Sequence, residues 1–258
     1  ANVEEILIKK NIAIGVRLSN GEELFAKTII SNLTRWDTFG LNNQNKGLVR
    51  KEFVSKREHD WSKTYKPSPS FVSIHLGVDK NIINPDFNCH HIIVDKWEEL
   101  ESEKGVIFIS IPTLLDKDLA PEGKHIIHAF TPSLMNEWEN LSRKDYIRKK
   151  EVYFQHIITM ISRIIPNIEN HIDHKEIGTP KTHKKFLGRF EGSYGPIPNK
   201  KLLGLLPMPF NTTKIKNLYC VGDSCFPGQG LNAVAFSGYA CAHKIGAKLK
   251  INSNKLPD

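Results

Sequence analysis

The sequence predicts a mixed α/β protein, and three observations carry that prediction. Alternating apolar runs crowd residues 3–30 and again 71–130, a helical apolar stripe follows Ser142, and a strand, a glycine-rich turn and a helix close the chain at 217–249. With 258 residues and 40% hydrophobic content the chain can bury a real core in one large or two small domains.

The opening residues read as a strand meander. VEEILI, a Lys-Lys-Asn turn, IAIGVRLS, the pair Asn20-Gly21 and ELFAKTIIS give three short strands, with Asn-Gly as the hairpin signal. Residues 41–69 are polar and rich in Lys, Asn and Pro, which predicts a loop with some helix. FVSIHLGV (71–78), HHIIVD (90–95), VIFISI (106–111) and HIIHAF (125–130), separated by Pro, Gly and Asp turns, predict an antiparallel or mixed sheet. A helix is expected from Ser142, where Ser142 and Asp145 resemble a capping box, to about Ile165 before Pro166. Its residues Tyr146, Val152, Ile157, Met160, Ile161 and Ile164 recur at helical spacing and are expected to form a core stripe. HIDHKEIG reads as a strand, Thr179-Pro180 as a helix start, GSYGP as a loop, and Leu231 to Leu249 as the last helix.

The formal charge of +8 comes mainly from scattered lysines, densest in RKDYIRKK (143–150) and KTHKK (181–185). No nucleic-acid-binding module or interleaving of aromatics with basic residues accompanies them, so no nucleic acid partner is expected. A solvated surface or attraction to an anionic membrane face accounts for them. No run approaches the length of a membrane span, and ANVEEILIKK lacks the layout of a signal peptide. The four cysteines form no CxxC pair and read as reduced, mostly buried thiols. The histidine pairs 90/91, 125/128 and 171/174 place their partners on opposite strand faces, so no metal site is expected. Ser224 and Cys225 stand at a strand-to-helix transition but without a G-x-S-x-G elbow or an obvious partner histidine, and read as turn residues. The apolar stretch LLGLLPMPF (202–210), bracketed by Lys200, Lys201, Lys214 and Lys216, reads as a buried loop, with a membrane-dipping loop as the alternative.

The chemistry concentrates in NLYCVGDSCFPGQGLNAVAFSG (217–238). Gly228, Gly230 and Ala233 fit G-x-G-x-x-A, yet five residues separate the strand from Gly228 and no acidic strand end follows, so this is not the first turn of a dinucleotide fold. A strand ending in Gly222-Asp223 instead sets a carboxylate at a sheet's C-terminal edge. Gly228, Gln229, Gly230, Leu231 and Asn232 then open a helix whose free amides and positive dipole end would face an anionic or electron-rich ligand. A tightly packed terminal helix after an Asp-containing turn explains the same residues by physics alone.

LYCVGDSCFPGQGLNAVAFSGYACAH resembles the C-terminal flavin motif of the prolycopene isomerases, FAD-dependent relatives of the bacterial-type phytoene desaturases. The segments 29–40, 69–78, 89–95, 108–130, 178–198 and 208–213 resemble the same family in the same order. The resemblance implies a partial FAD-binding, Rossmann-like domain with an interleaved substrate domain built on a mixed or antiparallel sheet with helices. It divides the chain into an FAD-domain segment at 1–40, a substrate-binding domain at 41–190, a C-terminal FAD-domain segment at 191–249 and a tail at 250–258. It implies FAD contacts at Gly222, Asp223, Gly228, Gln229, Gly230, Leu231 and Asn232, with Asp223 on the ribityl chain. No catalytic residue is assigned, Glu191 and Tyr194 being conceivable acid–base groups.

The implied activity is conversion of poly-cis lycopene to the all-trans isomer. The alternatives are a carotenoid desaturase or retinol-saturase-like reductase and, for the chain by itself, an inactive binding domain. Such a protein would act on a carotenoid polyene from the cytoplasmic or plastid stromal side, peripheral to a membrane. None of the 17 glycines supplies the GxGxxG turn that opens family members, so the chain is expected to correspond to the C-terminal half of such an enzyme and not to retain FAD alone.

Overall fold

A computed structural model of the chain describes residues 1–41, 47–100, 102–197 and 208–251. It divides into two compact units, residues 1–68 with 188–258, and residues 69–187.

The first unit opens with β1 (Val3–Lys9), β2 (Ile12–Leu18) and β3 (Glu23–Phe25) in an antiparallel meander. Lys10 and Asn11 both take positive φ, as the tight turn joining β1 to β2 requires. The expected single strand ELFAKTIIS is two strands in two sheets. After β3, Ala26 N–H still bonds the Ile14 carbonyl, at 3.0 Å. The chain then leaves the meander, and β4 (Ile29–Ser31) pairs in parallel with β10 (Leu218–Cys220). Period-2 patterning marks extended residues but is blind to which partner each half of the run will find.

A short helix, α1 (Arg35–Phe39), starts where Thr34 Oγ1 accepts the Asp37 amide at 3.2 Å and stops at left-handed Gly40. It is followed by α2 (Lys56–Thr64). Trp36, Trp61, Tyr65 and Met208 form an aromatic cluster, with Trp36 and Trp61 centroids 4.8 Å apart. Val49 joins Ile6, Ala13, Ile29, Phe39, Leu218 and Cys220 in a second cluster. The polar run 41–69 thus contributes core side chains to the first unit, and the division falls at Ser68/Pro69 and Leu187/Gly188 where sequence boundaries stood at 40/41 and 190/191. Of LLGLLPMPF, residues 202–207 lie outside the described residues, and Met208 is buried in the aromatic cluster.

The second unit is a five-stranded antiparallel sheet made of β5 (Ser70–Asp79), β6 (His90–Val94), β7 (Val106–Ser110), β8 (Lys124–Ser133) and β9 (Ile172–Gly178), in the order β6-β7-β8-β5-β9. One face carries Val72, Ile74, Leu76, Val78, Ile107, Ile109, Ile127 and Ala129 against α3 (Arg143–Ile161). Ser142 caps α3, its hydroxyl accepting the Asp145 amide at 3.1 Å. The helix buries Tyr153, Phe154, Ile157, Ile158, Met160 and Ile161. Val152, expected in that stripe, is 52% exposed because Tyr153 and Phe154 take the core-facing angle one and two residues later. A last helix of this unit, α4 (Pro180–Leu187), follows β9 directly.

Behind α3 a polar knot closes the sheet. Glu103 accepts hydrogen bonds from Tyr153 Oη (2.7 Å), Ser133 Oγ (2.8 Å) and the Leu134 amide (3.2 Å), while Trp138 Nε1–H donates to Ser133 Oγ at 2.9 Å. Burial opposes the Glu103 charge, but these donors, with Lys149 nearby, outweigh it and hold the carboxyl below its ordinary 4.5. A lowered folded-state value adds stability that is present above the unfolded-chain value and lost as pH falls through the folded one. The stability advantage of the native chain over Glu103→Gln is therefore expected to shrink as pH is lowered from neutral to below 4.5, measured by urea unfolding at several pH values. A pH-independent difference would show that the carboxylate is not what the three donors hold.

Candidate functional site

The sequence motif and the opening of the chain meet at one sheet edge in the first unit. Strands β4 and β10 run parallel, and Val221 N–H extends their pairing to the Ser31 carbonyl at 2.9 Å. Both therefore end side by side, in Ser31-Asn32 and Gly222-Asp223, which is where open α/β sheets present ligand groups. Gly222 turns away at φ +97°, and a Cβ there would lie 2.7 Å from Asn32 Oδ1, so only glycine fits. The strand thus ends at Cys220, two residues before the expected end.

The helix that follows, α5 (Leu231–Lys248), is tied to this edge by a buried amide. Asn211 Nδ2 donates to the Cys220 carbonyl at 3.0 Å and to Ser237 Oγ at 3.1 Å, and Ser237 Oγ also accepts the Gly222 amide at 3.3 Å. The helix buries only Ser237, Cys241 and Ile245 along one stripe. Leu231, Phe236 and Tyr239 are 82%, 52% and 64% exposed.

Asp223 is 8% exposed. Arg189 donates to its Oδ2 through Nη2 and to the Ser193 carbonyl through Nε at 2.5 Å, and the same guanidinium lies 5.5 Å from the Tyr194 ring centroid. Burial raises the Asp223 carboxyl above its ordinary value against the opposing pull of Arg189 and of the Asp223 and Ser224 amides. Burial likewise raises the Tyr194 phenol. Gly195, at φ +103°, packs flat against this group, a Cβ there falling 3.0 Å from the Asp223 carbonyl oxygen and 3.1 Å from Gln229 Cγ. Gln229 Nε2 donates to the Pro196 carbonyl at 3.0 Å. The glycine-rich loop at 188–196 therefore backs the motif loop and fixes both Asp223 and Gln229.

The start of α5 is built differently. Gly228 and Gly230 take φ of +120° and +95°, no side chain caps the helix, and a Cβ at Gly230 would meet nothing within 4 Å. Leu231 and Asn232 are exposed beside it. The first-turn amides, with the positive end of the helix dipole, can donate hydrogen bonds to an electron-rich group here. The structure thus brings Gly222, Asp223 and Gln229 together with Arg189, Tyr194 and Gly195, and sets Gly228, Gly230, Leu231 and Asn232 at an open helix start. Sequence reading missed Arg189; its one signal was a lone arginine inside the glycine-rich segment GRFEGSYGP.

Ser224 and Cys225 have structural partners. Ser224 Oγ accepts the Arg35 amide at 3.0 Å, and the Arg35 guanidinium reaches Cys225 Sγ at 3.5 Å. That guanidinium pairs with Glu58 at 3.0 and 2.5 Å, both side chains being almost fully buried. Burial pushes the Cys225 thiol up to about 11, which leaves it a poor nucleophile at neutral pH.

In the second unit, the sheet face opposite α3 carries a register row of Glu176, His75, His128, Ser110 and His90 across five strands. The His75 and His128 rings stack at 4.4 Å. Phe130 lies between Phe71 at 4.9 Å and Phe108 at 5.0 Å. Burial and the neighbouring His75 and His183 lower the His128 imidazole below its ordinary value. Among the described residues no three His, Cys, Asp or Glu side chains are grouped to hold a metal ion. Cross-strand partners of this kind have no signature in a linear sequence, which is why the histidine pairs considered there were sequence neighbours.

A parallel strand pair feeding a glycine-opened helix, joined in the chain to an antiparallel sheet unit, is a mixed α/β arrangement consistent with part of an FAD/NAD(P)-binding fold. The chain matches an oxidoreductase from Methanosarcina mazei with a TM-score of 0.60 at 17% identity, covering 94% of this chain and 48% of that one. It matches a putrescine oxidase variant with a TM-score of 0.58 at 12% identity, covering 96% and 48%. In sequence the chain is similar to prolycopene isomerases: 54% identical over 253 residues to a chloroplastic prolycopene isomerase of an Oncidium hybrid cultivar, and 51% over 251 residues to that of Arabidopsis thaliana. It spans 42% and 41% of those proteins' lengths and 97% and 96% of its own. A 4,4'-diapolycopene oxygenase of a Methylomonas species is 27% identical over 263 residues. No protein-family model matches the chain.

Proposed function

We propose that the chain carries part of a flavin-dependent carotenoid cis–trans isomerase that converts a poly-cis lycopene-type polyene to its all-trans form. The observation that carries this reading is identity of about one residue in two with named prolycopene isomerases over 97% and 96% of the chain. FAD when bound would supply the electron or proton exchange that transiently weakens a polyene C=C bond. The residues fit such a group. Gly230 leaves open space at the helix start, Asp223 offers a carboxylate oriented by Arg189, and the uncapped helix start offers amides to an anionic ring edge.

Residues 1–40 and 191–249 are proposed as segments of the FAD domain, and the expected 41–190 substrate domain is proposed in its compact form, the unit 69–187. There the aromatic face of Phe71, Phe108 and Phe130 offers π surfaces to a conjugated chain, beside His75 and His128. Glu191 and Tyr194 remain the proposed acid–base candidates, Tyr194 lying beside the Arg189 that holds Asp223. The exposed Leu231, Phe236 and Tyr239 of α5 are proposed to be covered in a protein of the relatives' length. Residence in a plastid follows the relatives' chloroplastic names, with peripheral membrane contact because a C40 polyene must come from a bilayer.

Asp223 would contribute one or two charge-assisted bonds worth about 1.5–3 kcal/mol each, and the helix start about 0.3–1 kcal/mol. Association costs about 4–15 kcal/mol. The 258-residue chain is accordingly expected to purify colourless, and a protein of the relatives' full length carrying this sequence to purify yellow and to lose flavin on Asp223→Ala. Stoichiometric FAD on the short chain after gel filtration would show this inventory of contacts wrong, and full retention in the longer Asp223→Ala variant would remove Asp223 from the site. The likeness to a diapolycopene oxygenase favours net oxidation as a second reading, and mass spectrometry of the product separates the two, since isomerisation leaves substrate mass unchanged.

A further inference from the structure

The two densest basic runs of the sequence, 143–150 and 181–185, are far apart in the chain but adjacent in the second unit. Tyr146 of α3 links them: its hydroxyl bonds Thr179 Oγ1 at 2.8 Å, and Lys150 Nζ and Lys181 Nζ lie 5.9 and 5.7 Å from its ring centroid. Acidic groups along this stretch are already engaged, Asp145 by Arg148, Glu137 by Lys149 and Glu151 by Lys175. Among the described residues Arg143, Lys144, Lys150, Lys181, Lys184 and Lys185 take part in no ion pair. Apolar side chains protrude among them, with Phe186 75%, Ile147 56% and Leu187 49% exposed. Unpaired cations around projecting apolar side chains are complementary to an anionic bilayer, where the cations meet headgroups and the apolar tips enter the acyl boundary. An acidic protein or a nucleic acid would satisfy the cations but leave Phe186 and Leu187 without a partner.

We propose that the start of α3 and the whole of α4 form a docking surface for anionic lipid bilayers, with Phe186 as the inserting side chain. This rests on the reading above only in naming a bilayer as the source of a polyene; docking itself needs neither flavin nor polyene and is measured without them. The 258-residue chain is mixed with sucrose-loaded vesicles of phosphatidylcholine with or without about 30% phosphatidylglycerol, and the sedimented fraction is followed against lipid concentration and salt. Binding is expected on the anionic vesicles only and is expected to fall steeply as salt rises.

Each lysine near the surface contributes about fivefold in partitioning, so Lys181→Gln/Lys184→Gln/Lys185→Gln is expected to weaken binding about a hundredfold. Phe186→Ser is expected to weaken it while leaving the salt dependence in place. The control Lys9→Gln/Lys10→Gln/Lys27→Gln makes the same change in net charge on exposed residues of the first unit and is expected to bind as the unaltered chain does. Equal losses in the two triple variants, equal binding to neutral vesicles, or binding to duplex DNA as tight as to anionic vesicles would each overturn the proposal. Circular dichroism of each variant separates a lost surface from a lost fold.

Discussion

Replacing Arg35 by methionine is expected to destabilise the first unit by about 3–5 kcal/mol, because it leaves the Glu58 carboxylate buried without its partner. Arg35 and Glu58 side chains are 1% and 5% exposed, and their two hydrogen bonds at 3.0 and 2.5 Å hold α2 against α1. Methionine preserves much of the apolar stem, so the loss reports on the charge. The backbone tie from Arg35 N–H to Ser224 Oγ is untouched by the substitution, which separates the ion pair from the anchoring of the motif loop. The double variant Arg35→Met/Glu58→Leu is expected to regain most of the loss, since replacing both members removes the desolvated charges altogether. Urea unfolding followed by circular dichroism measures both. A single variant within 1 kcal/mol of the parent chain would mean that water reaches Glu58.

Trp138→Ala is expected to cost a further unit of the same size, about 3–5 kcal/mol, in the second unit. The indole is fully buried, sits 5.4 Å from the Tyr153 ring and 5.6 Å edge-on to Tyr146, and carries the Lys149 ammonium 5.2 Å from its ring centroid. Its Nε1–H donor to Ser133 Oγ is lost together with that volume. Trp138→Phe keeps an aromatic filler and is expected to cost less, although Ser133 then loses one donor. An alanine variant that costs under 2 kcal/mol would show that the site collapses around the smaller side chain.

Much of the molecule was legible in the residues. Asn20-Gly21, the Ser142 cap and the small-residue helix after Gly230 are local signals, and each sits where the chain bends or starts an element, whereas α3 ends at Ile161, four residues before the end expected ahead of Pro166. β-type runs marked the strands of the second unit, and along β8 burial alternates residue by residue because the pleat imposes period 2. The motif loop was also visible, because Gly222, Gly228 and Gly230 mark positive-φ positions that side chains rarely take. Less legible was the run ELFAKTIIS, whose two halves carry a common strand pattern but pair with different partners. Val152 was misread because a helical stripe drawn through six apolar residues has two neighbouring registers, and only packing against the sheet chose Tyr153 and Phe154.

By itself, the sequence determined the mixed α/β class, the order of elements, the position of the glycine-opened helix and the resemblance to prolycopene isomerases. Tertiary structure alone decided that β4 and β10 lie side by side, that Arg189 reaches across 34 positions to Asp223, that His75 stacks on His128, and that two lysine runs share one surface around Tyr146. The physical reason is the same in each case. Capping, turn chemistry and periodicity act within a few residues and are written in the chain, whereas strand register and side-chain pairing are set by which distant surfaces exclude water together.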